Sequence, residues 1–574
     1  MKPERKQEQN HQPKNRRKKN KMKNKPVYLE LNLNNTRPRP VGLIRSLPRP
    51  YSEIELLWLI KRAATDKKLK GMVLNTSGFT ADRSFLWELR TALETFRSAG
   101  KKIIAYFEEA DFDLYSMVCA ADKIVMDRNG NLSFMGYTMG RLYLRDTLGK
   151  LGVGFRELRY LDYKTANEMY SRADMSEADR EQYGAYLDDI FLHTKNTIIN
   201  ARSLDEERFN LLLGGEFILP PEDALEKGLV DILGREGAIE TAVREMEKSG
   251  NESEAEPVYK TWGVSSLMIH GRHVSNYDAP GGRGRKAEIA VVLAKGNTGM
   301  DEGMSARNLS RIIYGAAEKP SVKALVLRVD SPGGSAVAAD YIAEAVEKIK
   351  KDKPVVVTLG QVAASGGYWA AMTASKITAS PYTLTGSIGV IAGWFFNKSL
   401  NEKLGVNVDS MSVGDHADLL NGFLIPQRDI TPEEETRYHR FILELYNEFV
   451  KKAAIGRNMK EEELEPLARG RIYSGGAALK LKLIDSLGGY LEAIETSCKL
   501  AEIPEKRKIV IKEYPKPRFL ETLAARFFSS SLGTTVGAEM FPALKNICSI
   551  QKDLSYRLSN NGKAMPILPI GIIV

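Results

Sequence analysis

Short apolar runs alternate along the chain with longer stretches of helical periodicity. Residues Val27 to Asn32 have the pattern of a strand, a helical period runs from Glu53 to about Asp66, and an apolar run follows at Gly71 to Leu74. Strands that alternate with helices are typical of βαβ units and a buried parallel sheet. The pattern therefore predicts an α/β fold.

The order of these features repeats in the second half of the chain. The segment KGMVLNTSG at Lys70 matches KALVLRVDSPGG at Lys323, a shift of 253 residues, and the same shift relates the Leu-Gly-Val triplets that begin at Leu151 and Leu404. This repeat is far longer than the period of a solenoid. It indicates two fused copies of one α/β domain.

The duplication and the polar stretches between its copies predict five segments. These are a basic disordered tail (1–26), an N-terminal domain (27–248), a linker (249–286), a C-terminal domain (287–505) and a C-terminal extension (506–574). The extension contains two apolar stretches, Phe519–Phe528 and Met565–Val574, and has no match in the duplication. The second stretch is too short to span a bilayer.

The net charge of +10 belongs almost entirely to the tail. Residues 1–26 carry eleven Lys or Arg side chains against two Glu, so the remainder of the chain is nearly neutral. A nucleic-acid-binding fold needs Lys and Arg clustered on the folded domains themselves. Nucleic acid is therefore not predicted as a partner.

Targeting signals and metal-ligand clusters are not evident. The tail has neither the apolar run of a secretory signal nor the amphipathic pattern of a transit peptide, and no apolar stretch has the length of a membrane-spanning helix. The three cysteines, Cys119, Cys498 and Cys548, are far apart and odd in number, which argues against a disulfide framework. We expect no metal and no cofactor.

The two copies differ first in the loop after the second strand. The C-terminal copy has Asp330-Ser331-Pro332-Gly333-Gly334, and the N-terminal copy has the shorter Thr76-Ser77-Gly78. Paired glycines let backbone N–H groups point outward, which suits an oxyanion or phosphate nest. The alternative is an ordinary Pro-Gly turn.

A second difference is a serine at a strand-to-helix turn. Ser365 lies between the strand Val355–Leu359 and an apolar helix, and at the shift of 253 it corresponds to Phe112. A nucleophile and its oxyanion donors can coexist at such a turn, because backbone N–H groups and a helix N-terminus lie beside it. The alternative is a serine that caps the helix.

A serine nucleophile needs a base, and the sequence offers two candidates. His416, beside Asp415, would complete a Ser-His-Asp triad. Lys164 corresponds to Ala417, so the copy without the serine has a lysine where the other copy has alanine. An ordinary exposed lysine is the alternative. The complementary loss favours a composite site with Lys164 from one copy and serine from the other.

Four motifs resemble those of the signal peptide peptidase A family, also called protease IV, in its long, duplicated form. They follow in matching order and spacing from about Val27 to Glu495. The motifs are Tyr163-Lys164-Thr165-Ala166, Asp330-Ser331-Pro332-Gly333-Gly334, Ala364-Ser365-Gly366-Gly367-Tyr368 and Thr385-Gly386-Ser387-Ile388-Gly389-Val390. The resemblance implies two tandem ClpP/crotonase-like domains and a serine peptidase with a Ser/Lys dyad.

By this resemblance, Ser365 is the expected nucleophile and Lys164 the general base, with Ser387 as the hydroxyl that positions the lysine amine. Neutral Lys164 would take the Ser365 proton, and water would hydrolyse the acyl-enzyme. The pKa of a free lysine is about 10.4, so Lys164 can be neutral near physiological pH only if the site is desolvated. Activity should rise toward mildly alkaline pH.

The remaining site predictions concern the oxyanion hole and the substrate. The resemblance implies oxyanion donors at Gly366 and at Gly333 or Gly334. We expect substrate to bind extended beside a strand edge. Trp394 and Phe395 are candidate residues of its apolar wall.

The resemblance also implies partners and a location. Members of the family degrade signal peptide remnants and other hydrophobic peptides at membranes, and form ring-like oligomers; we expect a tetramer with the dyad inside each chain. Many are anchored by a helix near the start, where this chain has its basic tail. Peripheral membrane association is therefore expected, with residues 1–26 attracted to anionic lipid.

Two other functions remain open from the sequence. An acyl-CoA enzyme of the crotonase type also uses glycine amides as an oxyanion hole, and it would need neither Ser365 nor Lys164. A non-catalytic scaffold is the other possibility, against which the intact pair argues.

Overall fold

The computed structural model describes the greater part of the chain. The described residues are 26–34, 51–247, 259–263, 287–422, 425–504, 507, 509–514, 554–558, 560–565, 567–568 and 572–573. The predicted tail lies outside them except for Pro26, as does the stretch Phe519–Phe528. Within these ranges, no helix combines the length and the apolar character that crossing a membrane requires.

The strands are numbered in chain order. They are β1 (Val27–Asn32), β2 (Leu69–Asn75), β3 (Lys102–Ala110), β4 (Lys123–Ser133), β5 (Met139–Gly140), β6 (Gly154–Leu158), β7 (Ile218–Leu219), β8 (Ile232–Leu233), β9 (Lys260–Gly263), β10 (Ala287–Lys295), β11 (Val322–Ser331), β12 (Val355–Ala364), β13 (Lys376–Ala379), β14 (Leu384–Gly386), β15 (Ala392–Phe396), β16 (Ile472–Ser474), β17 (Ser486–Leu487), β18 (Ile509–Tyr514) and β19 (Ile572–Ile573).

The helices are numbered in the same way. They are α1 (Glu53–Ala64), α2 (Arg83–Ser98), α3 (Phe112–Val118), α4 (Arg145–Leu151), α5 (Glu168–Ser171), α6 (Glu177–Arg202), α7 (Glu206–Gly214), α8 (Pro221–Glu226), α9 (Glu236–Met246), α10 (Ala306–Ala317), α11 (Ala336–Lys350), α12 (Gly366–Ala371), α13 (Lys398–Leu404), α14 (Pro432–Arg457), α15 (Glu461–Leu464), a 3₁₀ turn (Glu465–Leu467), α16 (Gly475–Lys480) and α17 (Tyr490–Leu500).

Two sheets share one strand order. The first runs β7-β4-β3-β2-β1-β9, and the second runs β16-β14-β12-β11-β10-β18. In each sheet the pairings are parallel apart from one antiparallel strand at an end, β7 in the first and β16 in the second. The long strand β4 has its counterpart in two shorter strands, β13 and β14. The predicted duplication of an α/β fold is confirmed.

Burial explains why the central strands read as continuous apolar runs. All but two residues of β11 are buried, because helices cover the parallel sheet. Helix α10 buries Leu309, Ile313, Ala316 and Ala317, a spacing of three to four residues that gives it one apolar face.

The described residues form two compact units. The first contains those up to Gly136 and those from Thr194 to strand β9, and the second contains Tyr137–His193 and those from strand β10 onward. Lys164 lies in the first sequence repeat. In the structure, however, it belongs to the second compact unit, which also contains Ser365. The boundaries of the predicted domains, 27–248 and 287–505, describe the repeats and stay a prediction.

Each sheet ends in a strand that the sequence pattern did not reveal. Strand β9, inside the predicted linker, pairs in parallel with β1. Strand β18, inside the predicted extension, pairs in parallel with β10. The two strands thus take equivalent positions, each beside the first strand of its repeat.

Candidate active site

Ser365 lies at the sharp turn between strand β12 and helix α12. Its backbone has φ +57° and ψ −116°, a conformation that costs a non-glycine residue of order 1–3 kcal/mol. The Ser365 N–H donates to the Gly386 carbonyl at 2.8 Å, and this bond holds the turn on strand β14. The Ser365 hydroxyl makes no capping hydrogen bond to helix α12, which disfavours the alternative of a serine that caps the helix.

Lys164 lies in the loop between β6 and α5, and its side chain is fully buried. Its Nζ lies 2.6 Å from Ser365 Oγ, and it donates to the Ser387 hydroxyl and carbonyl oxygens, each at 2.9 Å. Burial lowers the pKa of Lys164 well below the ordinary value of a lysine. The predicted nucleophile, base and positioning hydroxyl are thus brought together in one chain.

Ser387 is held in a strained turn of its own. It follows β14 with φ +50°, and its N–H donates to the Arg471 carbonyl at 2.7 Å. The residue is 1% exposed. Its hydroxyl and carbonyl are therefore both aimed at the lysine amine rather than at solvent.

Gly470 packs directly against the backbone of Lys164. Its φ is +86°, and a Cβ at this position would lie 2.6 Å from both the backbone nitrogen and the Cβ of Lys164. The Gly470 N–H donates to the Ile388 carbonyl at 2.8 Å, which ties the support to the loop that begins at Ser387. The lysine can reach this depth because the facing residue has no side chain.

A buried polar network fixes the same loop from the other side. Arg141 donates to the Thr165 carbonyl at 3.1 Å and to Asp179 Oδ1 at 2.6 Å, and the Thr165 hydroxyl donates to the same carboxylate oxygen at 2.5 Å. Gln182 donates to the Tyr163 carbonyl at 3.2 Å. Sequence reasoning missed Arg141, Asp179 and Gln182, because polar types give no periodic signal of burial.

Substitution of Gly470 by alanine is expected to lower kcat by about 10²-fold, because the added Cβ displaces the lysine that it would strike. The measurement is hydrolysis of an apolar peptide ester by purified protein. Gly405→Ala is the matched control: its φ is +68°, but a Cβ there meets nothing within 4 Å. Equal activity of the two variants would mean that Gly470 does not position the lysine.

The glycine loop after β11 is held by Thr298, another residue that sequence reasoning missed. Thr298 N–H donates to the Gly333 carbonyl at 2.8 Å, and its hydroxyl lies 3.1 Å from Ser331 Oγ. The Gly333 N–H donates to Ser331 Oγ at 3.2 Å. At Gly334, φ is +151° and a Cβ would lie 2.3 Å from the Thr298 carbonyl. Because the Gly333 N–H already donates to Ser331 Oγ, Gly334 is the better candidate of the pair for an oxyanion donor.

Trp394 and Phe395 do not form a free apolar wall. Both side chains are buried: Trp394 Nε1 donates to the Arg428 carbonyl at 3.0 Å, and the Phe395 ring lies 4.6 Å from the Phe155 ring. Strand β15, which carries them, pairs with β6, so both rings pack against interior partners. Their predicted substrate-binding role is not supported by these contacts.

His416 lies in a separate ionic cluster. Its Nδ1 is 2.8 Å from Glu434 Oε1, and its side chain is largely exposed. The neighbouring Arg428 guanidinium holds the pKa of Glu434 well below its usual range. This partner for His416 disfavours the alternative of a Ser-His-Asp triad.

The equivalent helix of the first unit has a different chemistry. Helix α3 is the counterpart of α12, because its last residue, Val118, precedes the last residue of α12, Ala371, by 253 positions. Asp111 caps helix α3 by accepting from the Leu114 N–H at 2.7 Å. Phe112, which corresponds to Ser365, is buried against Phe134. Beside this helix start, the first unit has a cavity of about 970 Å³.

Comparison with known proteins gives the family. The model of Peptidase family S49 matches residues 95–252 and 347–504, which together exceed half of the chain. The chain belongs to peptidase family S49. Lys164 lies in the first matched copy and Ser365 in the second, and this S49 chain is a serine peptidase.

Two relatives match this S49 peptidase over most of its length. "Serine protease SPPA, chloroplastic" of Arabidopsis thaliana is 28% identical over 467 residues, 79% of this chain and 67% of its own. "Protease 4" of Salmonella typhi is 30% identical over 474 residues, 79% of this chain and 73% of its own. The resemblance to the long, duplicated signal peptide peptidase A family is confirmed.

A solved structure of a ClpP1 mutant from Listeria monocytogenes is 15% identical and matches 36% of this chain and 94% of its own, with a TM-score of 0.25. The two S49 copies and the two α/β sheets of one strand order confirm the predicted α/β fold of two tandem domains from an internal duplication.

Proposed function

We propose that the chain is an endopeptidase in which neutral Lys164 activates Ser365, and that it degrades signal peptide remnants and other hydrophobic peptides through an acyl-enzyme. The observation that carries this proposal is the 2.6 Å separation of Lys164 Nζ and Ser365 Oγ, with both side chains fully buried. A serine hydroxyl at this distance from an amine can lose its proton to it.

Burial favours the neutral amine of Lys164, and its hydrogen-bond inventory is compatible with that form. A neutral amine has two N–H donors and one lone pair, whereas the ammonium form has three donors and none. The carbonyl of Ser387 must accept, and its hydroxyl can also accept, so these two atoms satisfy both donors. The lone pair is then left for the hydroxyl proton of Ser365.

The developing negative charge needs donors on the far side of the scissile carbonyl. Gly366 is the first residue of helix α12, so its N–H has no partner within that helix. We assign the oxyanion hole to the N–H groups of Gly366 and Gly334. Donors placed in advance of the reaction are typically worth about 10²- to 10³-fold each in rate.

The reaction then follows in two stages. Ser365 Oγ attacks the carbonyl carbon while its proton passes to Lys164 Nζ, and the tetrahedral intermediate collapses as the lysine returns that proton to the leaving amine. The Lys164 amine then deprotonates a water molecule, which hydrolyses the ester of Ser365. Ser387 keeps the amine in place throughout.

The two other candidate functions are less well supported. An acyl-CoA enzyme or a scaffold would gain nothing from a lysine buried without a carboxylate beside a serine in a strained turn, and both features cost stability. A peptidase needs each of them for its reaction.

The finer expectations about location and assembly also belong to the proposal. Hydrophobic substrates and a tail of eleven basic residues fit peripheral attachment to an anionic membrane surface. A homo-oligomer, expected as a tetramer, would contain a full dyad in each chain, since Lys164 and Ser365 lie in the same unit.

The pH dependence of kcat/KM should reveal the base. Because burial lowers the pKa of Lys164, the amine is neutral over a range in which a free lysine is charged. We expect activity to fall on the acid side as Lys164 becomes protonated, with a midpoint well below 10.5. An acid limb at the ordinary lysine value, or no acid limb, would contradict a buried lysine base.

A further inference from the structure

Arg471 contacts both of the loops that hold the Lys164 amine. It directly precedes strand β16, and its carbonyl accepts from the Ser387 N–H at 2.7 Å. Its Cζ lies 4.6 Å from the centre of the Tyr163 ring, in a cation–π contact. Tyr163 directly precedes Lys164 in the chain. One residue thus holds the turn of Ser387 through its backbone and the loop of Lys164 through its side chain.

A carboxylate of helix α6 completes this contact. Arg471 Nη2 donates to Glu181 Oε1 at 2.6 Å, and the Tyr163 hydroxyl donates to Glu181 Oε2 at 2.8 Å. The hydrogen bond from Tyr163 and the charge of Arg471 lower the pKa of the Glu181 carboxyl, so it stays ionised through the neutral range. The guanidinium, the phenol and the carboxylate form a closed triangle, here called the Arg471 clamp.

The Arg471 clamp lies on the solvent side of the lysine loop. The side chains of Arg471 and Glu181 are 29% and 49% exposed, whereas Lys164 is fully buried. Desolvation is the cause of the low pKa of Lys164. Any opening of the loop that admits water to the amine therefore raises this pKa toward its ordinary value. The clamp can thus control the protonation of the lysine without touching its amine.

The two charges of the clamp have opposite direct effects on Lys164. Loss of the Arg471 charge would by itself raise the lysine pKa, and loss of the Glu181 charge would by itself lower it. Loss of either side chain also opens the clamp, however, and opening raises the pKa in both cases. Further charges beside the lysine loop come from Asp162, on the loop itself, and from the ion pairs of Arg141 with Asp179, Arg159 with Glu168 and Arg469 with Glu465.

We propose that Arg471 is a positioning residue for the reaction: its carbonyl fixes the Ser387 turn, and its guanidinium, through Tyr163 and Glu181, keeps the lysine loop closed over the amine. This inference rests on the proposed function, in which neutral Lys164 is the base. The guanidinium acts through Tyr163 rather than on the reacting atoms. Its contribution should therefore be found in the pH dependence of the reaction.

The test compares Arg471→Met with Glu181→Met in the full chain. Methionine keeps much of either apolar stem without the charge or the hydrogen bonds. We expect both variants to shift the acid limb of kcat/KM for an apolar peptide ester upward by about half to one pH unit, a loss of about three- to tenfold on that limb. Above the limb, activity should return close to the parental value, because the Arg471 carbonyl still holds Ser387.

Arg469→Met is the matched control. Arg469 lies two residues before Arg471, and its guanidinium donates to the Glu465 carboxylate at 2.9 and 3.1 Å. This variant removes the same charge from the same stretch of chain and leaves the Arg471 clamp intact. We expect its acid limb at the parental pH, and an unchanged melting temperature in all three variants shows that each is folded.

The inference requires an upward shift in both clamp variants and none in the control. Shifts of opposite sign in Arg471→Met and Glu181→Met would show that the two charges act directly on the lysine, and this result overturns the inference. A parental limb in either variant, or an equal shift in Arg469→Met, overturns it as well. The proposed function fails separately, if Ser365→Ala stays active in the same assay.

A milder variant covers the case in which a methionine variant does not fold. Tyr163→Phe keeps the ring beneath the guanidinium and loses only the hydrogen bond to Glu181. We expect a smaller shift in the same direction. A parental acid limb in folded Tyr163→Phe would again overturn the inference.

Discussion

Replacement of Ser365 by alanine is expected to lower kcat/KM for an apolar peptide ester by about 10⁴- to 10⁶-fold, the range found when a serine nucleophile is removed. The Ser365 hydroxyl is the group that would bond to substrate, and its 2.6 Å contact with Lys164 Nζ would have no replacement. Loss of one hydroxyl leaves the backbone of the turn unchanged, so thermal unfolding should stay cooperative. The measurement is steady-state hydrolysis with the melting temperature as a check on folding.

The matched control is another buried serine of the same unit. Ser497 lies in helix α17, where its hydroxyl donates to the Ile494 carbonyl at 2.8 Å. Ser497→Ala should keep parental activity, because this hydroxyl bonds within its own helix. If Ser365→Ala and Ser497→Ala hydrolyse the ester equally well, Ser365 is not the nucleophile.

Replacement of Lys164 by methionine is the second large effect, with an expected loss of about 10³-fold or more in kcat/KM. Methionine fills a similar volume and has no basic nitrogen, so the pocket stays packed while the proton acceptor is lost. Lys164→Arg should be equally inactive, because a guanidinium does not give up its proton. This variant separates a base from a simple requirement for positive charge.

Lys353→Met provides the control for this series. Burial also lowers the pKa of Lys353, whose Nζ donates to the Lys319 carbonyl at 2.9 Å at the surface of the same unit. Its replacement should leave kcat/KM close to the parental value. Substantial activity in Lys164→Arg or Lys164→Met would exclude the lysine as the general base.

The sequence predicted the repeated fold and the two central site residues for one physical reason. Both copies must satisfy the same packing, so positions at which they diverge are free to carry chemistry. Ser365 against Phe112 and Lys164 against Ala417 are such positions, and the structure brings Lys164 and Ser365 within hydrogen-bond distance. The match of Peptidase family S49 to both copies agrees with this interpretation.

The sequence pattern did not indicate the residues that support the site. Gly470 matters because its missing side chain faces Lys164 across a distance that only the fold defines. Arg141 and Asp179 are polar types that sequence reasoning places at the surface, yet they form a buried pair beneath the lysine loop. Trp394 was assigned to a substrate wall from its apolar character, and burial within the unit explains that character instead.

The edge strands of both sheets were also hidden from the sequence. Strand β9 lies in a stretch whose polar residues suggested a linker, and strand β18 lies in a stretch that has no match in the duplication. Each completes a sheet by parallel pairing. Pairing of an edge strand depends on backbone groups more than on side-chain pattern.

The most direct test of the central claim is covalent labelling of the nucleophile. A fluorophosphonate probe reacts with an activated serine oxygen and releases fluoride, and tandem mass spectrometry locates the adduct. We predict a single adduct on Ser365 in the parent protein, formed faster as pH rises, and little labelling of Lys164→Met. An adduct on another serine, or equal labelling rates in the two proteins, would contradict activation of Ser365 by Lys164.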